Sequence, residues 1–97
     1  MEIESHEIYK EVGPARRSVI LTLYDDQITV NSQNLGSVVE EITGSNEYEF
    51  ETIVRKNAWG PLAVALIREY MADGGATDTL KEICQKYEVP HQFNIWD

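Results

Sequence analysis

Between Ser18 and Val54 the chain contains no lysine and no arginine, although the same stretch carries seven carboxylates. A protein that grips duplex DNA or RNA needs cations to displace counterions from phosphate, so direct nucleic-acid binding is not expected. Cysteine is almost as scarce. Cys84 stands alone, which rules out an internal disulfide and any dependence on an oxidising compartment. No apolar run approaches the ~18 residues of a membrane span, and Met1 leads directly into Glu2 and Glu4 without a basic leader region. These absences predict a cytoplasmic protein with no membrane segment.

Catalytic signatures are missing as well. His6 and His91 lie far apart, and Cys84 has no neighbouring ligand, so no metal site is expected. Gly74-Gly75 follows a helical pattern, whereas a phosphate loop opens one. No nucleophile elbow and no paired cysteine motif occurs. Glu47 and Glu49 have the spacing of an acid–base pair, but an exposed alternating strand offers no pocket to separate their pKa values. The sequence predicts neither an enzyme nor a bound cofactor.

What is present fits one domain over residues 1–97: the chain is 42% hydrophobic and 26% charged, an ordinary globular balance. The net charge is −9, and it is unevenly spread. Residues 1–17 and 55–97 are each nearly neutral. The excess sits in Asp25, Asp26, Glu40, Glu41, Glu47, Glu49 and Glu51. Clustered carboxylates repel one another, so the arrangement carries a cost that either solubility or a cationic partner offsets.

Local patterns give a coarse architecture. Glu7 to Val12 predicts a short strand before the Gly13-Pro14 turn. Arg17 to Tyr24 is β-branched and apolar, and Asp25-Asp26 turns it into Ile28-Thr29-Val30. Ser37 followed by Glu40 predicts a capped helix ending at Gly44, with Glu40 and Glu41 complementing its dipole. Residues 47–55 alternate with a period of two, placing Tyr48, Phe50, Thr52 and Val54 on one face and Glu47, Glu49 and Glu51 on the other. Helices are predicted from Pro61 to Ala72 and from about Asp78 to Tyr87, the second with Cys84 as a core thiol. His91 to Trp96 alternates and predicts a final strand. The expected class is α+β: an antiparallel sheet of about four to five strands packed on one face by two main helices, in the order β-β-β-α-β-α-α-β.

Several of these segments have a familiar look. Gln33-Asn34-Leu35-Gly36, Val39-Glu40-Glu41, Gly44, Glu47-Tyr48-Glu49 and the closing Val89-Pro90-His91-Gln92-Phe93-Asn94-Ile95-Trp96 together resemble a group of short bacterial proteins of uncharacterised function. That group shares a Q-[ND]-L-G, V-E-E, glycine, E-Y-E pattern. By size and charge the chain is also similar to the immunity proteins of toxin-delivery systems, including contact-dependent growth inhibition. That similarity implies a 1:1 complex with a basic protein toxin, a nuclease whose active or substrate-binding surface is covered. Asp25, Asp26, Glu41, Glu47, Glu49 and Glu51 would supply the electrostatics, with Tyr48, Trp59 and Trp96 as aromatic anchors. Trp59 and Trp96 fit a core role equally well at this level. The alternative is a phage-encoded acidic mimic of nucleic acid, which inhibits a nuclease or another nucleic-acid-binding complex by the same physics.

Overall fold

The computed structural model describes residues 1–36 and 47–96, which fall into two compact units, 1–59 and 60–97. The first unit is a four-stranded antiparallel meander in the order β1-β2-β3-β4, with β1 at Glu2–Glu11, β2 at Ala15–Tyr24, β3 at Gln27–Gly36 and β4 at Glu47–Arg55. A single 3-10 turn, Lys56–Ala58, follows β4. Two helices come next, α1 at Trp59–Tyr70 and α2 at Ala76–Lys86. The α+β class holds, and the order among the described residues is four strands and then two helices.

Register explains the sheet. Leu21 lies opposite Val30 and Leu23 opposite Ile28, so β2 and β3 turn their β-branched and aliphatic residues to one face. Val54 continues that face across β4, opposite Ile28. The other face is mostly polar: Thr22 pairs with Thr29, Asn31 with Glu51, and Gln33 with Glu49, with Ile20 and Ile53 among them. The two threonines, 7% and 6% exposed, are the buried side chains among the described residues, and Ser5 and Thr22 share a hydroxyl hydrogen bond of 3.2 Å. No apolar side chain among the described residues is fully buried.

The structure departs from the expected elements in several places. β2 begins at Ala15, two residues early, and β3 runs on to Gly36, six residues past the predicted Ile28-Thr29-Val30, through a polar stretch that reads as loop in sequence. β1 begins at Glu2, five residues before the predicted start, and every one of its residues is exposed. An edge strand wet on both faces carries no hydrophobic alternation by which to recognise it. α1 begins at Trp59, which puts Pro61 within the first turn, where its missing N–H has no intrahelical partner to lose. Cys84 is half-buried and free, not a core thiol. The predicted final strand is absent, and residues 88–96 have no regular structure. Pro90 removes a ladder donor there, and His91 Nδ1 and Gln92 Nε2 donate to neighbours two residues away, at Val89 and Asn94. The Phe93 ring lies under the Lys81 ammonium of α2, 4.3 Å from its centroid. The helix predicted over residues 37–44 lies outside the described residues.

The end of α2 shows local strain. Val89 N–H reaches the Cys84 carbonyl at 2.8 Å and Glu88 N–H the Gln85 carbonyl at 3.4 Å, a Schellman cap. The residue at its left-handed position is Glu88, with φ of 55°. A side chain there costs about 1–2 kcal/mol, against roughly 0.5–1 kcal/mol of extra unfolded-state entropy for glycine. Glu88→Gly is therefore expected to stabilise the chain by about 0.5–1 kcal/mol, measured as a higher midpoint in thermal and urea unfolding.

Candidate partner-binding surface

The carboxylates that are contiguous in sequence separate in space. Asp25 and Asp26 form the tight turn between β2 and β3, at the end of the sheet where β4 finishes. Asp25 Oδ1 accepts from the Met1 ammonium at 3.2 Å, an exposed ion pair, and the Asp26 carbonyl accepts from Lys56 N–H at 2.8 Å. That hydrogen bond sets Asp26 level with Lys56, so Glu51 stands about 17 Å and Glu49 about 24 Å further back along β4, at ~3.4 Å per residue. Arg55, bonded to Gln27 across the ladder, lies between the two acidic groups. The turn aspartates and the strand glutamates do not form one patch.

The strand glutamates do share one face. Glu49 and Glu51 lie opposite Gln33 and Asn31, and Asn31 Nδ2 donates to Glu49 Oε1 at 2.9 Å. This bond fixes the Glu49 carboxylate from the β3 side, and both acids are exposed. Glu47 and Tyr48 continue the register opposite Leu35 and Asn34. Glu41 lies outside the described residues.

The two tryptophans differ. Trp59 is half-buried, and its indole N–H donates to the Val54 carbonyl at 3.2 Å, an anchor at the end of β4. Trp96 is 86% exposed. Trp59→Phe is expected to lose about 1 kcal/mol, one net hydrogen bond, whereas Trp96→Ala should leave stability within about 0.5 kcal/mol. Urea unfolding of both variants checks the contrast.

A cationic hollow was not anticipated from the sequence. It has a volume of about 330 Å³ at the β1–β2 turn, and its lining sets Lys10, Arg16 and Arg17 against a single carboxylate, Glu11, with Val12, Ser18 and Gln33 completing the wall. The only sequence signal for it was that Lys10, Arg16 and Arg17 are all the bases before residue 55. Arg17 Nε donates to Asn34 Oδ1 at 2.8 Å.

Among the described residues no group of three His, Cys, Asp or Glu is arranged to hold a metal ion, and no helix is long and apolar enough to cross a membrane. Protein-family models, curated proteins and solved structures give no match to this chain.

Proposed function

We propose that the chain is an immunity protein, a stoichiometric inhibitor that binds a cognate basic toxin and covers its active or substrate-binding surface. The toxin class that fits best is a nuclease. A nuclease cleft must hold phosphate, so it is lined with lysine and arginine. A row of carboxylates competes for those cations, and long-range attraction speeds the encounter. The observation that carries this reading is the display of Glu49 and Glu51 on one face of the terminal strand, inside a stretch without a single base. No catalytic step is assigned to the chain.

The test is enzymatic. A basic protein recovered with the chain is purified and its cleavage of DNA and RNA is followed with increasing amounts of the chain. Inhibition that saturates at one equivalent is the expected result. Cleavage that continues unchanged at excess chain contradicts the proposal.

A further inference from the structure

The two edges of the sheet are not alike. β1, at one edge, is interrupted by register shifts between Glu2 and Glu4 and between Glu7 and Tyr9. Such bulges leave residues unpaired, twist the strand and blunt it against further pairing. β4, at the other edge, runs in unbroken register from Glu47 to Arg55, and among the described residues it pairs with β3 alone.

The hydrogen-bond phase of β4 follows from one contact. Lys56 N–H bonds the Asp26 carbonyl, which makes positions 54, 52 and 50 the ones that exchange hydrogen bonds with β3 in the same register. Glu49, Glu51 and Ile53 fall at the intervening positions, so their backbone N–H and C=O groups point away from the sheet. Two of these residues, Glu49 and Glu51, also display carboxylates.

Resting on the basic-partner reading above, we infer that β4 is a docking edge for an extended segment of that partner, which adds as a fifth antiparallel strand. Charge complementarity specifies the segment. Residues that exchange both backbone hydrogen bonds with Glu49 and Glu51 lie about 5.5 Å away between Cα atoms, with their side chains on the same face. Lysine or arginine at those alternate positions pairs with the two carboxylates. Positions between them turn to the face that carries Thr52 and Val54 and suit apolar residues. The β1 edge is closed to such a strand by its bulges.

The probe is an acetylated peptide of alternating lysine and valine, compared with the same peptide N-methylated at its lysine amides, which keeps every charge but removes the donors. The parent peptide is expected to bind and to slow hydrogen exchange at the Glu49 and Glu51 amides. The methylated form is expected to bind about tenfold or more weakly, the equivalent of one to two hydrogen bonds. Ile53→Pro should weaken the parent peptide while leaving the circular dichroism spectrum unchanged, because the N–H it removes faces away from β3. Where that variant does not fold, the methylation comparison decides alone. Equal binding of both peptides overturns docking at the edge while leaving attraction by charge, and with it the basic-partner reading, intact. Absence of binding by either peptide also overturns edge docking, and the nuclease assay then judges the function separately.

Discussion

Replacing Glu47, Glu49 and Glu51 together with glutamine is expected to weaken capture of the basic partner by about a hundredfold or more near 0.15 M salt, most of it in the association rate. The change keeps side-chain shape and nearly all hydrogen-bonding capacity, so circular dichroism and the unfolding midpoint should hold. It removes three of the seven acids in the base-free stretch. Rate loss is expected because steered encounters run roughly two to three decades faster than unsteered ones. Part of the effect persists in the dissociation rate if a carboxylate is desolvated at the contact, which typically costs ~2–5 kcal/mol when its partner charge is left unpaired. Raising the salt to ~1 M, where screening acts within about 3 Å, should bring wild type and variant together. Asp25→Asn with Asp26→Asn serves as the comparison. These residues lie far from the strand acids and beside Arg55 and Lys56, so their effect on association should be small. Stopped-flow association rates across a salt series measure both.

The second large effect is on stability and separates the two faces of the sheet. Leu21 sits in a central strand, opposite Val30 on β3 and His6 on β1, with Val19 and Leu23 two residues either side. Ile20, its neighbour on the other face, lies opposite Glu7 and Asn31. Both side chains are half-buried. Leu21→Asn loses apolar contact and sets an amide beside Val30, Val19 and Leu23, with His6 as its one polar neighbour across the strands, an expected cost of about 3 kcal/mol. Ile20→Asn also loses apolar area, but its amide lands beside a carboxylate and another amide that accept and donate, so about 1–1.5 kcal/mol is expected. Strand propensity changes nearly equally in both, so it largely cancels from the difference. Of the ~5–15 kcal/mol typical of a small domain, 3 kcal/mol is a large share. Equal costs in urea unfolding would contradict the assignment of faces.

The sheet was legible where one face is apolar. The period of two in Val19 to Tyr24 and in residues 47–55 fixed which residues share a face, and Asp25-Asp26 marked the turn between β2 and β3. Legibility failed where both faces are polar, as in Glu2 to Ser5 of β1, because an edge strand is held by backbone pairing that leaves no mark in hydropathy. It failed again at residues 91–96. The alternation there is real, but a side chain distant in sequence, Lys81, takes the Phe93 ring, and Pro90 cannot donate to a ladder.

The candidate surface was half legible. Glu49 and Glu51 stand displayed on the polar face of β4, as the alternation implies. Asp25 and Asp26 belong to the same charge run but lie at the far end of the strand, a separation that a count of charges along the chain cannot register. Trp59 and Trp96 are equivalent as letters, yet one donates to a backbone carbonyl while the other is exposed. The phase of the β4 edge was out of reach, since it depends on the Lys56–Asp26 hydrogen bond across the sheet.

The central claim is that the β4 carboxylates meet a cationic protein. Affinity purification of the tagged chain from the cells that produce it, beside the Glu47/Glu49/Glu51→Gln variant and with intact-complex mass determination, tests this most directly. One basic protein held at 1:1 by the wild type and lost from the variant is the predicted result. Recovery of the chain alone, or of the same partner in equal amount with both proteins, would contradict it.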